Sequence, residues 1–217
     1  MRCIVTAGPT YEPLDDVRRL TNFSTGRLGA ELASYLAGRG HQVVLLIGQQ
    51  ATYRGERGVQ RVETFTTTAS LRARLGALAG EAPEAVLHAA AVSDFMFGKI
   101  WLRSPTGELS EVTSRKITTR QGTLLAELAP TPKIIAELRS WFPTARLVGW
   151  KYVVEGDRAG VLRAAEQQLR DCLTDACVAN GEAYGDGFGL VRGPGECAHL
   201  REREELFEAL DRLIKGS

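Results

Sequence analysis

Short apolar runs alternate along the chain with segments whose apolar residues recur at helical spacing. The runs predict buried strands, because each is brief and followed by a turn signal. The predicted strands are Arg2–Ala7, His41–Gly48, Val59–Phe65, Ala85–Val92, Ala145–Trp150, Ala176–Ala179 and one near Gly189–Arg192. The predicted helices are residues 28–38, 68–80, 131–141 with Pro132 in its first turn, 158–173 and 202–214. Strands and helices that alternate at these lengths favour a parallel sheet with crossover helices.

Two stretches depart from this alternation. The polar segment after the first strand, as far as Thr25, predicts a loop. Residues 97–128, which alternate in polarity and carry turn signals near Gly107 and Gly122, predict hairpin-like strands that project from the sheet as a dimerisation arm. With no repeat or linker in the sequence, we expect residues 1–217 to form one α/β domain. It would have a Rossmann-like, mostly parallel sheet flanked by helices, with this β insertion.

Charge and composition exclude two classes of partner. The 217 residues carry 27 Lys and Arg against 26 Asp and Glu, a net charge of +1, and the basic residues are not clustered. We therefore expect no nucleic-acid partner, since such binding draws on many phosphate contacts. No apolar stretch approaches the ~18 residues of a membrane span and no signal peptide precedes the first strand, so we expect a cytoplasmic protein without a membrane partner.

The cysteines and histidines predict no metal site and no nucleophilic centre. The four cysteines have no CxxC spacing, and three of them lie in or beside apolar runs, so buried reduced thiols are expected. The isolated pair Cys197 and His199 is weak evidence for zinc. His88, within an apolar strand, is expected to be a core histidine, and no Ser/His/acid or Cys/His arrangement is discernible.

Candidate chemistry is expected at the carboxyl ends of the strands, where open α/β sheets bind ligands. The first loop ends in residues 24–29 (STGRLG), which lead directly into a helix whose first N–H groups favour an anion. The alternative is that Ser24 or Thr25 merely caps that helix. Neither GxGxxG nor a P-loop is present, and the second strand ends in Gly48-Gln-Gln without an acidic residue for a ribose, which disfavours a nicotinamide dehydrogenase. A short-chain oxidoreductase is disfavoured further, because no Tyr is followed four residues later by Lys.

The fourth predicted strand ends in small residues and an acid. Residues 89–91 are alanines that leave room for a ligand beside the backbone, and Asp94 could orient a polar group or a metal-bound phosphate. The alternative is close helix–sheet packing with a solvated Asp94.

The order of these segments and the residues within them match a family. Residues 6–29 read TAGPTYEPLDDVRRLTNFSTGRLG and closely resemble the opening of phosphopantothenate–cysteine ligases, whose general form is TxGxTxEPxDxVRxxxNxSSGxxG. The resemblance continues through AAAVSD (89–94), the Lys116 segment, LVGWK (147–151) and VAN (178–180). It covers residues 2 to about 191, nearly the whole chain.

The resemblance implies a two-step ligase. The family activates the carboxylate of 4′-phosphopantothenate with CTP in most bacteria or ATP in eukaryotes, with Mg²⁺, and cysteine's amine then attacks the acyl-nucleotidyl intermediate. It also implies a homodimer. On the matching positions, Asn22 would contact the acyl intermediate and Lys116 would begin a flexible strand-loop that closes over the triphosphate.

The same resemblance assigns the binding residues. Those expected at the nucleotide are Gly8, Ser24, Gly26, Gly29, Trp150 and Asn180, with Trp150 stacking on the base. Those expected at phosphopantothenate are Ala90, Ala91, Asp94 and Arg18, the last reaching the substrate phosphate from the neighbouring subunit. No protein metal ligand is implied.

The chain departs from the family pattern at several positions. The Lys-rich segment, usually KxKK, is Lys116-Ile-Thr-Thr-Arg120 here, so one lysine remains, with Arg115 and Arg120 nearby. Trp150 replaces the usual Phe, and the acidic motif that follows it is disrupted before Glu155. These departures motivate an alternative, a diverged nucleotide-binding member that is non-catalytic or uses another acid. The decarboxylase often fused to the family in bacteria is not expected in this chain.

Overall fold

The computed structural model describes residues 1–56, 58–114, 116–118 and 122–216. The strands in chain order are β1 Arg2–Ala7, β2 Tyr11–Pro13, β3 Arg19–Thr21, β4 Gln42–Gly48, β5 Arg61–Phe65, β6 Ala85–His88, β7 Phe95–Arg103, β8 Leu109–Glu111, β9 Thr123–Pro130, β10 Arg146–Tyr152, β11 Ala176–Asn180, β12 Phe188–Gly193 and β13 Glu196–Leu200. The α-helices are α1 Arg27–Gly38, α2 Thr68–Leu78, α3 Ile134–Trp141, α4 Arg158–Cys172 and α5 Arg203–Lys215, with a 3₁₀ turn at Ala79–Glu81.

An eight-stranded sheet in the order β13-β12-β11-β10-β6-β1-β4-β5 forms the centre of the protein. The strands from β11 to β5 pair in parallel, whereas β12 and β13 are antiparallel. The prediction of a mostly parallel Rossmann-like sheet is therefore confirmed. Because β4 lies on one side of β1 and β6 on the other, the direction of winding reverses between β1 and β6.

Helices cover both faces of the sheet. Along β1, Val5 packs in a cluster with α1 and α5, while the neighbouring Ile4 packs in a cluster with α2 and α3. A third cluster lies under α4, where Val161 meets Cys177 of β11. Since successive side chains of a strand point to opposite faces, this alternation fixes which face each later residue occupies.

Four predictions of local structure differ from the observed elements in informative ways. The segment predicted as a polar loop contains the β2–β3 hairpin, and β13, which pairs with β12, was not predicted. The third helix begins at Ile134 because Lys133 has an extended ψ of 91°, so Pro132 precedes the helix instead of lying in its first turn. The strand predicted as Ala85–Val92 ends at His88, where the chain turns toward the loop that follows β1.

The predicted insertion is present as a separate three-stranded sheet in the order β8-β7-β9. It extends slightly further than residues 97–128, since β7 begins at Phe95 and β9 ends at Pro130. Phe95 and Leu128 are 46% and 49% exposed. In the described part of the chain, no helix is both long and apolar enough to cross a membrane.

Candidate functional site

The loops that follow β1 and β6 meet at the point where the sheet reverses its winding. The N–H of Ala91 donates to the carbonyl of Gly8 at 3.0 Å, and the N–H of Thr10 donates to the carbonyl of Ala91 at 3.1 Å. In open α/β sheets the crevice outside this reversal is where ligands bind. The structure thus brings the predicted nucleotide residue Gly8 against the predicted substrate residue Ala91.

The amino end of α1 lies against the same loop. Gly8 and Gly26 have φ angles of 76° and 79°, and a Cβ added to Gly26 would lie 3.2 Å from the Cα of Gly8. Both positions therefore require glycine, first because of the positive φ and second because the two backbones touch.

Gly26 is also the N-cap of α1, and no side chain caps the helix. The alternative role of Ser24 or Thr25 as the cap is not adopted, although the Oγ1 of Thr25 accepts from the N–H of Arg27 at 3.3 Å. The N–H groups of Leu28 and Gly29 find no acceptor among the described residues. An anion at this helix end would meet free donors and the positive end of the helix dipole.

Gly29 itself packs against β1. A Cβ at this position would lie 2.7 Å from the Cβ of Ala7 and 2.9 Å from the carbonyl oxygen of Thr6. The absence of a side chain lets α1 approach the sheet closely. Its predicted contact with a nucleotide stays a prediction.

Asn22, which lies between β3 and α1, contacts the loop that follows β6. Its Nδ2 donates to the carbonyl of Ala91 at 3.1 Å, and its side chain is exposed. The residue predicted to contact the acyl group therefore lies against the loop predicted to bind phosphopantothenate.

Trp150 and Asn180 lie on the α1 side of the sheet, at the carboxyl ends of β10 and β11. Trp150 pairs in register with Val178, two residues before Asn180, so the two side chains are diagonal neighbours on one face. The Nε1 of Trp150 and the Oδ1 of Asn180 are buried and have no hydrogen-bond partner in the described structure. Unused buried donors and acceptors are rare, which makes this pair a candidate ligand contact.

Arg18 is held by an acid for which the sequence assigned no role. Its Nη2 lies 2.6 Å from the Oδ2 of Asp15 and also donates to the carbonyl of Ile117 at 2.6 Å. Asp15 accepts in addition from the N–H groups of Val17 and Ile117, both at 3.0 Å. These bonds, with that of Arg18 foremost, hold the pKa of Asp15 well below its usual range.

This cluster places Lys116 beside the β2–β3 hairpin, since Ile117 follows it directly and is almost fully buried. The predicted contributions of Arg115 and Arg120 lie outside the described residues. Asp15 could have been singled out from the DDVR stretch of the matching motif, but nothing in the spacing identifies residue 117 as its partner.

Ala90 and Asp94 line a cavity of about 190 Å³ between β6, β10 and α3, which Trp150 and Lys151 line as well. A larger cavity of about 410 Å³ lies at the amino ends of β1 and β4, the opposite edge of the sheet from the crevice. It therefore does not belong to the predicted site.

The described residues contain no group of three or more His, Cys, Asp or Glu side chains placed to hold a metal ion. Mg²⁺ binds proteins through one or two carboxylates together with substrate phosphates, so a nucleotide-borne ion needs no such group.

One arrangement that the sequence concealed is a Cys–His–Asp line. The Nε2 of His41 lies 2.7 Å from the Oδ1 of Asp211, and its Nδ1 lies 3.9 Å from the Sγ of Cys3. Burial raises the pKa of the Cys3 thiol to about 12, so the thiol is not a nucleophile at neutral pH. The line ties α5 to β1, and its members are too distant in sequence for a motif to reveal them.

The predictions of buried thiols and of a core histidine are confirmed. Cys3, Cys172 and Cys177 are buried and Cys197 is exposed, and all four are free thiols. His88 is buried with its Nδ1 2.9 Å from the Oγ1 of Thr6.

Comparison with known proteins agrees with this architecture. The family described as the DNA/pantothenate metabolism flavoprotein C-terminal domain matches residues 1–205. The coenzyme A biosynthesis bifunctional protein CoaBC of Thermococcus kodakarensis is 32% identical over 179 residues, covering 82% of this chain and 41% of that protein. CoaBC of Mycobacterium bovis is 38% identical over 203 residues, covering 89% and 45%. The chain thus spans less than half the length of these curated relatives.

Solved structures share the fold. The DNA/pantothenate metabolism flavoprotein from Streptococcus pneumoniae superposes with a TM-score of 0.83 at 23% identity, covering 100% of this chain and 99% of that one. A Cab2 mutant in complex with phosphopantothenate-cysteine superposes with a TM-score of 0.71 at 20% identity, covering 99% and 87%. The expectation drawn from residues 6–29 is confirmed at the level of the family: the chain belongs to the DNA/pantothenate metabolism flavoprotein C-terminal domain family.

Proposed function

We propose that this protein is a phosphopantothenate–cysteine ligase of coenzyme A biosynthesis. The observation that supports the proposal is the hydrogen bond from the Nδ2 of Asn22 to the carbonyl of Ala91, which holds an amide group beside the loop expected to bind the substrate. An amide there is suited to an acyl oxygen on which charge develops. Relatives named as coenzyme A biosynthesis proteins support the same activity.

The nucleotide would lie on the α1 face. Its phosphates would meet the free N–H groups of Leu28 and Gly29 beside Gly8 and Gly26, with Ser24 and Lys116 as further donors. Its base would meet Trp150 and Asn180 edge-on and not by stacking, since the Nε1 of Trp150 is an unused donor and the Oδ1 of Asn180 an unused acceptor. A donor and an acceptor together match a ring nitrogen beside an exocyclic amine, an edge that cytosine and adenine share, so CTP and ATP are both candidates. Mg²⁺ would accompany the triphosphate.

The acid substrate would occupy the β1–β6 crevice beside Ala90, Ala91 and Asp94. The carboxylate oxygen of 4′-phosphopantothenate attacks the α-phosphorus, and pyrophosphate leaves. Cysteine's amine then attacks the acyl carbon: the C–N bond forms, the C–O bond to the nucleotide breaks, and the nucleoside monophosphate departs with the electron pair. The surplus amine proton is released to solvent. Such transfer depends mainly on positioning and on neutralising charge.

A homodimer would complete the site. The exposed apolar residues Phe95 and Leu128 lie near the base of the β7–β9 arm and favour burial against a second copy. In such a dimer Arg18, about one-third exposed, would reach the substrate phosphate of the partner subunit. A sedimentation measurement that gives a monomer at micromolar concentration would reject this part of the proposal.

The deciding experiment measures pyrophosphate release with Mg²⁺, 4′-phosphopantothenate and either CTP or ATP, with and without cysteine. The proposal expects release with one of the two nucleotides and an amide product only when cysteine is present. Absence of release with both nucleotides, from folded protein that still binds a nucleotide, would favour the alternative of a diverged nucleotide-binding member. The single lysine of the segment at Lys116 is the observation behind that alternative.

A further inference from the structure

The carboxylate of Asp15 joins the β2–β3 hairpin to the segment between β8 and β9, 102 positions later in the chain. Its side chain is only 1% exposed. A buried carboxylate is unfavourable unless hydrogen bonds satisfy both oxygens, so the partners of Oδ1 and Oδ2 account for its burial. The two oxygens bind different parts of the molecule.

The Oδ1 of Asp15 belongs to the hairpin turn. It accepts from the N–H of Val17 at 3.0 Å and from the N–H of Arg18 at 2.7 Å. The N–H groups of Leu14 and Asp15 donate in turn to the carbonyl of Arg18, at 2.8 and 3.3 Å. All four bonds lie within residues 14–18, so the turn fixes the carboxylate without help from distant parts of the chain.

The Oδ2 of Asp15 binds the segment that contains Lys116. It accepts from the N–H of Ile117 at 3.0 Å and from the Nε and Nη2 of Arg18 at 3.1 and 2.6 Å. The same Nη2 donates to the carbonyl of Ile117 at 2.6 Å. One ion pair therefore binds both backbone polar groups of Ile117. Among the described residues between 114 and 118, Ile117 alone makes hydrogen bonds outside that segment.

The hairpin is in turn fixed to the β1–β6 crevice. At its base, the N–H of Thr10 donates to the carbonyl of Ala91 at 3.1 Å. The Oγ1 of Thr21, one residue before Asn22, donates to the carbonyl of Thr10 at 2.9 Å. A backbone bound to this hairpin therefore has a fixed position relative to the crevice.

Lys116 depends on this attachment because its peptide bond leads directly into Ile117. The peptide unit is planar, so a bound N–H at Ile117 also fixes the Cα of Lys116. The side chain of Lys116 is exposed and makes no hydrogen bond or ion pair with the described residues. The position of its ammonium group is thus set from the backbone.

We propose that Asp15 is a positioning residue of the ligase, which sets the place of Lys116 by binding the backbone of Ile117 together with Arg18. The proposal rests on the ligase function proposed above, in which Lys116 meets the triphosphate. Since its side chain is 1% exposed, Asp15 acts through Ile117 and not by contact with a substrate.

The sign of the effect separates positioning from simple electrostatics. Asp15→Asn keeps an oxygen for the turn but replaces Oδ2 by a donor, which cannot accept from Ile117. The variant also makes the cluster more positive, so a direct influence of charge on an anionic substrate would raise activity. Positioning predicts the opposite change. A displacement of about 1 Å can cost on the order of 100-fold in rate, so kcat should fall roughly 10- to 100-fold.

The test measures pyrophosphate release at saturating 4′-phosphopantothenate, cysteine and the accepted nucleotide, with Mg²⁺. The variants are Asp15→Asn, Lys116→Ala and the double variant. If Asp15 acts through Lys116, Asp15→Asn should change kcat by roughly twofold or less once Lys116 is alanine. A merely structural role would multiply the two losses.

Glu137→Gln is the matched control. It breaks an ion pair of three hydrogen bonds between α3 and Arg72 of α2, so it removes a comparable carboxylate contact while kcat should stay at the wild-type value. If Asp15→Asn fails to fold, judged by circular dichroism, Asp15→Ser makes the same test, because serine retains an oxygen for the turn.

Each outcome decides a different question. The positioning role is overturned, and the ligase function left intact, if folded Asp15→Asn or Lys116→Ala keeps the wild-type kcat. Losses that multiply in the double variant overturn it as well. A wild type that releases no pyrophosphate with CTP or ATP rejects the ligase function itself, and the positioning role with it.

Discussion

Gly29→Ala tests whether the close contact between α1 and β1 positions the anion-binding helix end. In an ordinary helix interior, alanine is more favourable than glycine by about 0.8–1 kcal/mol. Here the added methyl would lie 2.7 Å from the Cβ of Ala7 and 2.9 Å from the carbonyl of Thr6, so α1 or β1 must move. Such overpacking typically costs about 1–3 kcal/mol. The propensity gain offsets part of this, and we expect a net loss of about 1 kcal/mol.

The assay is thermal unfolding together with nucleotide binding. For a chain of this size, about 1 kcal/mol lowers Tm by roughly 2–4 °C. Nucleotide affinity should fall as well, because the N–H groups of α1 move with the helix. Gly76→Ala on α2 is the control: nothing lies within 4 Å of a Cβ there, so it should raise Tm. If Gly29→Ala stabilises the protein as Gly76→Ala does, the packing argument is wrong.

Three further predictions concern single side chains. Asp15→Asn keeps the acceptor oxygen Oδ1, which binds the Arg18 amide, but loses Oδ2, which accepts from the Arg18 side chain and the Ile117 N–H. Hydrogen exchange at the Ile117 amide should therefore accelerate at least tenfold, while the Arg18 amide stays protected. Burial by itself would raise the pKa of Asp211, but hydrogen bonds from Lys215 and His41 lower it below its usual value. The contribution of Asp211 to stability is therefore present above about pH 4 and is lost as pH falls further. Urea unfolding should show wild type and Asp211→Asn converging in stability as pH falls from 7 to 3; a constant difference would contradict this. A thiol reagent should modify one cysteine of the native protein rapidly, and Cys197→Ser should abolish that phase.

The sequence predicted the central sheet well because its strands are brief apolar runs separated by strong helical patterns. The β2–β3 hairpin escaped prediction because its strands have three residues each and are stabilised by contacts from outside the hairpin, such as the bond from Tyr11 to the carbonyl of Thr66. Strand β13 escaped because its residues are mostly exposed and show no clear alternation. Short elements of this kind depend on tertiary pairing rather than on local pattern.

The residues of the candidate site were also predictable only in part. Glycines at positive φ and the Asn22 segment could be located from the sequence, since their roles are local to a motif. The bond between Asp15 and Ile117 joins residues 102 positions apart, and the convergence of Lys133 with Lys151 at the cavity beside Asp94 depends on where α3 starts. The sequence also could not predict to which face of the sheet each side chain of β10 points, because this requires knowing which face α3 and α4 cover.

Strand parity also decides what the carboxyl end of β10 presents. Trp150 and Lys151 are consecutive, so the pleat sends one side chain to the α1 face and the next to the α3–α4 face. Both residues nevertheless line the cavity that Ala90 and Asp94 also line, so the two faces meet at this end of the strand. Small side chains after β6 keep that meeting point open to a ligand. With the ligase function proposed above, Ala90→Leu should therefore slow pyrophosphate release, and an unchanged rate would contradict this role of the alanines.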